Sequence, residues 1–352
     1  MTELRSLLKN LLTTPGLSGY ETRIHQVVKE TWQPLCDHIE TSRIGSLHAL
    51  KQGTATSPRP SLLLAAHMDE IGLMVTGFSD GFLRITEIGG IDPRILPGQP
   101  VIIHGQKEIA GVIVRPPMAL LPAAVQSDSL PVQYLLVDTG LDAAQVSRSI
   151  KIGDRISFAQ LPIEFSDDVL VGHALDNRVS IAAITVCLEE LKNRQIEWDL
   201  WAVATVQEEE TLGGAITSGF QIQPSLAVVI DVTFGSSPGS PAHKTYPIGK
   251  GITLGWGPTV HPFLYEQFKK IADELEIPYA MEVMPRYSAT DADGLQTTAA
   301  GIPTMIISIP IRYMHTPVEM VSLKDINRAG RLMAEFAARL DIEFLMKIKW
   351  DE

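Results

Sequence analysis

His67 in AAHMDE, Asp176 in GHALDNR, Glu208 and Glu209 in TVQEEE, Asp231 in VVIDVT and His315 in MHTPVE are the residues of this chain that could do chemistry together. Most of them directly follow a short apolar run that reads as a buried strand, where a charge is costly unless something compensates it. A pair of divalent cations is the simplest single compensation for charges that end together. The two histidines with three of these four carboxylates form a mixed nitrogen and oxygen donor set. Such a set suits Zn, Co or Mn rather than a thiolate-selected metal.

Each residue also has an ordinary structural reading. His67 ends a strand, the sheet edge where ligands bind in open α/β folds, but it can equally be a core histidine. Asp69, two residues on, can accept a hydrogen bond from the second imidazole nitrogen and so orient a metal-bound ring. Asp176 precedes a helix and can simply cap it; a carboxylate can also bridge two cations. The run Glu208-Glu209-Glu210 can be a solvated turn. Alternatively, adjacent residues at a strand end point in different directions, so one glutamate can bind metal while the other reaches a water. Metal coordination lowers the pKa of that water, and a nearby carboxylate can take its proton. Asp231 ends the run LAVVI, a common place for aspartate at a strand-to-helix turn. His315 lies just beyond TMIISIP, and Pro317 restricts the backbone after it.

Other polar groups carry weaker expectations. His104 and His25 read as structural or surface residues. His173, close to Asp176, is a candidate supporting residue, and His261 in GPTVHP a candidate to face substrate. TDADGLQ places Thr290, Asp291 and Asp293 at a helix start, where capping is the expected role; the alternative is a site for a substrate amine or a subunit contact.

The elements that must position these residues alternate between helix and strand. Residues 3–13 read as a helix broken by Pro15-Gly16. Ser18 and Glu21 stand at capping-box spacing before a second helix near 21–33. A strand is expected near 39–50, and SLLLAAH (61–67) is a continuous apolar run typical of a buried strand. From Gly72 to about Phe158 the texture changes to short β-type runs separated by Gly, Pro and Asp, the pattern of a small barrel or sandwich. Within it 138–150 looks helical and 116–131 reads as a loop. Alternation then returns, with a helix at about 178–193, strands at 200–207, 226–231 and 304–310, a helix or turn opened by Gly213-Gly214, and a final helix from about 322 to 345. The expected fold is therefore α/β, a mainly parallel sheet between helices, interrupted by an inserted all-β barrel. Residues 1–70 and 164–352 would form the catalytic domain and 71–163 the insert.

Composition limits the function classes. The 352 residues are 45% hydrophobic and 20% charged, enough for a large core and against disorder. A net charge of -12 disfavours nucleic acid as a partner. Cys36 and Cys187 show no zinc-ribbon or disulfide spacing, which favours a reducing compartment and a cytoplasmic enzyme. The start, MTELRSLLKNLLTTPG, is amphipathic rather than a signal peptide, and no apolar run approaches the ~20 residues that span a bilayer.

Taken in order, PGLSGYE, AAHMDEIGLMV, GHALDNR, TVQEEE, VVIDVT, TDADGLQ and HTPVE resemble the motifs of metallopeptidase family forty-two. These are dinuclear-metal aminopeptidases, glutamyl aminopeptidases among them. Some assemble as hollow tetrahedral dodecamers, and some have carried endoglucanase labels. The resemblance implies that Asp176 bridges two metals, that His67 and Asp231 complete one, and that Glu209 and His315 complete the other. It implies Glu208 as general base, Asp69 as the residue orienting His67, a cis peptide after Asp176, and a dimerisation role for the insert. One departure stands out. Relatives usually read valine-glycine-leucine-arginine-glycine after the glutamate pair, and this chain has Glu210-Thr211-Leu212-Gly213-Gly214, with an added carboxylate and no basic residue.

The function expected is hydrolysis of N-terminal peptide bonds on substrates with a free amine, by a hydroxide held between two metals. The expected assembly is a homo-oligomer, a dimer building block or a dodecamer. The rival readings are a metal-dependent deacylase of small N-acyl compounds and an assembly protein that has lost activity. Glycoside hydrolysis is disfavoured, because aromatics are 6% and no carboxylate pair is flanked by aromatic sugar platforms.

Overall fold

A computed structural model describes residues 2–117, 119, 121 and 130–349. The chain opens with α1 (Thr2–Thr13) and α2 (Thr22–Trp32). Leu4, Leu8, Leu11 and Leu12 form the buried stripe of α1, while Arg5 and Lys9 on its outer side pair with Glu164. Ile24, Val28 and Trp32 recur every fourth residue on the buried face of α2. The capping box expected from Ser18 and Glu21 does not form. Residues 16–18 are drawn out against Glu70, with Ser18 N donating to Glu70 O (3.1 Å) and Glu70 N to Gly16 O (3.0 Å). Ser18 is therefore remote from the helix start. Glu21 precedes α2 without capping it and accepts instead from the backbone of Gly19 and Gln207.

The single strand expected near 39–50 is a hairpin, β1 (His38–Thr41) and β2 (Leu47–Lys51). The chain reverses at Gly45, whose φ of 111° requires glycine, and Ser42 Oγ accepts from Ser46 N within the turn. After β3 (Ser61–His67) the chain enters the barrel: β4 (Gly72–Ser79), β5 (Phe82–Ile88), β6 (Pro100–His104), β7 (Glu108–Val114), β8 (Leu136–Asp138), α3 (Ala143–Ser149) and β9 (Arg155–Phe158). These strands close in the order β4-β5-β8-β7-β6-β9 around their own core, which includes Leu73, Ile85, Ile103, Val137 and Ile156. Asp142 and Gln145 form a capping box on α3. Most of the expected loop at 116–131 lies outside the described residues.

The chain then forms β10 (Ile163–Glu164), β11 (Val169–Gly172), α4 (Leu175–Leu191), β12 (Asp199–Thr205), α5 (Glu208–Thr211), α6 (Gly213–Ile222), β13 (Leu226–Phe234), β14 (Ile252–Trp256), α7 (Pro262–Glu274), β15 (Tyr279–Val283), α8 (Asp291–Gln296), β16 (Thr304–Ile311), β17 (Glu319–Ser322) and α9 (Leu323–Ala338). The main sheet has the order β1-β2-β12-β3-β13-β16-β14-β15. Its centre, β12-β3-β13-β16, is parallel throughout, with antiparallel pairings on both flanks. β10, β11 and β17 make a small separate sheet.

The central strands bury nearly every side chain, as continuous apolar runs predict. Helix α4 is buried from Leu175 to Leu188. It crosses α9 closely at Gly330, where a Cβ would fall 2.6 Å from Ala183 O. Two boundaries depart from expectation. β13 does not end at Asp231 but runs on to Phe234, because β16 continues to pair with it as far as Phe234↔Ile311. The last helix stops at Ala338 rather than near 345. The chain turns there so that Trp198 Nε1 can donate to Asp341 O (2.8 Å) and Phe344 can pack on Trp198 and Phe336.

Candidate metal centre

The parallel strands bring the six residues singled out above to one edge of the sheet. His67 is the last residue of β3 and lies in register with Thr205 at the end of β12. Glu208 and Glu209 follow on α5, Asp231 sits on β13 beside Ser308 of β16, and His315 is in the loop after β16. Asp176 stands at the head of α4, where it and Asn177 have non-helical backbone angles and are joined by a cis peptide bond. Asn177 Nδ2 donates to Ile230 O (3.0 Å), which ties this helix head to the strand beside Asp231. Ala174, Gln207 and His315 all have φ near +60°. Such strained backbone in non-glycine residues concentrates at functional sites.

Asp176 is the centre of the cluster. Its Oδ1 lies 3.1 Å from His67 Nε2 and its Oδ2 lies 3.3 Å from His315 Nε2. His67 Nε2 is also 3.8 Å from Glu208 Oε2 and 3.9 Å from Asp231 Oδ1. Across the cluster, His315 Nε2 is 3.5 Å from Glu209 Oε2. Donor atoms around one ion, each bonded at about 2.0–2.2 Å, stand at separations of this order. His67 with Asp176 and Glu209, and His67 with Glu208 and Asp231, each offer donor atoms within 4.8 Å of one another. Glu208 thus lies among the same donors as the ligand candidates. Glu209 Oε1 is buried with no hydrogen-bond donor among the described residues. A carboxylate oxygen stranded in this way is destabilising unless a cation meets it, so the donor set fits a metal ion.

Electrostatics point the same way. Burial pushes the Glu208 carboxyl up to about 9, with Asp231, Asp291 and Asp176 adding to the rise against the effect of His67. Burial likewise lifts Asp231 to about 8 and Glu209 well above the carboxylate range. Burial opposes a charge on His67, but Glu208, Asp176 and Asp69 outweigh it and hold the imidazole well above its ordinary value. Burial also acts to raise Asp176, yet the two imidazoles keep it well below. In the absence of a cation the cluster keeps protons, which metal binding would release.

Two carboxylates hold the others in place. Asp69 Oδ1 accepts from Glu208 N (3.1 Å) and faces His67 Nδ1 at 3.5 Å, while its Oδ2 accepts from Glu209 N (3.2 Å). Glu319 Oε2 accepts from Asp176 N (3.1 Å) and its Oε1 from His315 N (2.8 Å). Sequence reasoning missed Glu319. The available signal was the alternation in VEMVS, which puts Glu319 on the buried face with Val321. Of the residues expected at the start of α8, Thr290 caps the helix, while the Asp291 side chain is buried and accepts from Thr205.

The remaining histidines lie elsewhere. His173 Nδ1 faces Glu70 Oε2 at 3.2 Å instead of Asp176. His261 is buried at the head of α7. His104 bonds Ser157 and His25 bonds Thr41.

A family model, M42 glutamyl aminopeptidase, matches residues 45–332, a span that contains every residue of the cluster. The chain belongs to the M42 glutamyl aminopeptidase family. As a member of M42 it is an aminopeptidase, a hydrolase of peptide bonds. The lysyl aminopeptidase of Pyrococcus furiosus is 33% identical over 332 residues, 93% of this chain and 94% of that protein. A TET aminopeptidase from a marine sediment Thaumarchaeota archaeon superposes with a TM-score of 0.93 at 28% identity, over 99% of both chains. The TET1 peptidase of Pyrococcus horikoshii, which can assemble into a tetrahedron or a large octahedral shell, matches with a TM-score of 0.82 at 27% identity. That likeness covers 96% of this M42 chain and 100% of the other. Among the described residues no helix is long and apolar enough to cross a membrane.

Proposed function

We propose that this M42 aminopeptidase cleaves single residues from the free N-termini of peptides, using two divalent ions, Zn or Co in the first instance and Mn as an alternative. Asp176 would be shared by both ions, His67 and Asp231 would hold one, and Glu209 and His315 the other. The observation that carries this reading is Asp176, whose two oxygens face two different imidazoles at 3.1 Å and 3.3 Å. When bound, the ions supply Lewis-acid polarisation of the scissile carbonyl and of the attacking water.

Glu208 is the general base. Its carboxylate lies among the metal donors, and burial raises its proton affinity. It takes the proton of the attacking water at a carboxylate oxygen and returns it to the leaving amine. Asp69 fixes the backbone of Glu208 and Glu209 while orienting His67, and Glu319 fixes the backbone of Asp176 and His315. Residues 1–70 and 164–352 form the catalytic unit and residues 71–163 the dimerisation unit of a homo-oligomer. The likeness to peptidases that assemble into shells supports that arrangement. The unpaired Cys36 and Cys187 suit the cytoplasm.

The test is a panel of aminoacyl chromogenic substrates on metal-stripped protein, with Zn, Co or Mn restored. Activity should return with metal, require a free α-amine, and rank the N-terminal residues. Equal turnover of N-acetylated substrates would replace this reading with a deacylase.

A further inference from the structure

His67 and His315 are held by different means. The ring nitrogen of His67 that points away from Asp176 faces a buried carboxylate, Asp69. The corresponding nitrogen of His315 lies against the backbone of Gly90, in the loop that leaves β5 of the barrel. This loop is set tightly against the cluster. Gly89 has φ +74°, and a Cβ on it would fall 2.6 Å from Ile71 and 3.3 Å from Glu209 Oε2. A Cβ on Gly90 would fall 3.5 Å from His315 Nδ1. The Gly89 N–H donates to Glu210 Oε1 at 2.7 Å. Glu210 stands on α5 directly after Glu208 and Glu209, yet it points away from the cluster and onto the barrel loop.

We infer that Glu210 is a positioning residue: it clamps Gly89 so that the backbone of Gly90 holds the ring of His315 toward Asp176 and Glu209. The inference rests on the reading of Glu209 and His315 as ligands of one ion. Each carboxylate of the triple-glutamate turn then has its own task, Glu208 toward the proton, Glu209 toward the ion and Glu210 toward the loop. The clamp also joins the barrel to the site, because the loop belongs to one unit and α5 to the other. A hydrogen bond to an orienting partner is worth roughly 10- to 100-fold in metal affinity when it is lost. The exposed position of Glu210 puts the expected effect at the lower end, about tenfold.

The test is metal titration of the full-length protein stripped of ions, with Zn or Co delivered against a competing chelator so that two binding steps are resolved. In Glu210→Ala one of the two steps should lose about tenfold in affinity while the other stays unchanged. Glu210→Gln keeps an acceptor oxygen without the charge and should restore it. Glu210→Asp is too short to reach Gly89 and should behave like alanine. Two unchanged steps in Glu210→Ala would overturn the inference. So would equal weakening of both steps that Gln fails to rescue, since that is the signature of a lost charge. Uptake of fewer than two ions by the unaltered protein would remove the metal reading and this inference with it.

Discussion

The two flanks of the candidate centre are built to different standards. On one, His67 is the final residue of a central strand, its side chain is 2% exposed, its partner Asp231 lies on the adjacent parallel strand, and Glu208 follows on the short helix α5 after β12. On the other, His315 sits in a loop with φ +60°, its side chain is 35% exposed, and it is held by the Glu319 carboxylate on its backbone N–H and by the Gly90 backbone of the barrel beside its ring. Strand register and apolar burial position the first flank with little freedom left. The second depends on hydrogen bonds between segments distant in the chain, Glu210 to Gly89 and Glu319 to His315. In a dinuclear site this asymmetry predicts one tightly held ion and one that exchanges more readily.

The largest effect should come from removing what the two flanks share. Asp176→Ala should abolish binding at both, read as loss of both ions by elemental analysis together with loss of turnover; retention of one tightly bound ion would show that the flanks are independent. Glu208→Gln should keep both ions while turnover falls by about 10²- to 10⁴-fold, and near-normal turnover would sink the assignment of Glu208 as the base.

Asp69→Asn sharpens the contrast on the buried flank. It should weaken the tighter metal step by roughly 10- to 100-fold, measured by chelator competition. It should also lower the melting temperature, because Asp69 accepts two backbone N–H groups as well. Loss confined to the weaker step would invert the assignment of tight and loose flanks.

The pH dependence of the metal-stripped protein should be smaller but clear. Asp231 and Glu208 keep their protons to about 8 and about 9, and His67 stays charged well above its ordinary range. The native state therefore holds protons that the unfolded chain has already released. Stability that is fully present near pH 4 should decline as pH rises toward 9. Asp176, held low, works in the opposite direction and only below its ordinary value of 3.8. Loading with metal should flatten the decline, since the carboxylates are then ionised as ligands. Parallel melting curves for stripped and loaded protein across that range would contradict the link between the buried acids and the ion.

Much of this arrangement can be read along the chain. Apolar runs such as Ser61–His67 and Thr304–Ile311 became the central strands because side chains of that kind have to be buried, at roughly 1.5–3 kcal/mol each. Six short runs after Gly72 became the closed barrel. The polar residues at the ends of the buried runs were legible as a group for the same reason. Less legible were elements decided by contacts distant in sequence. The Ser18–Glu21 pair has the spacing of a cap, but Glu70 draws its backbone out. The stop after LAVVID looked natural, but pairing with β16 carries the strand to Phe234.

The sequence alone marked out the central strands, the barrel strands and most of the flanking helices, because hydrophobic periodicity and turn residues act over a few positions. It also picked out the acids and histidines that lie at or near the ends of those segments. Only the tertiary structure decided how they are held. Glu319 reaches the backbone of Asp176 across 143 positions, and Glu210 reaches Gly89 across 121. A hydrogen bond of that kind depends on the register and packing of elements folded against each other, and local sequence carries no record of it.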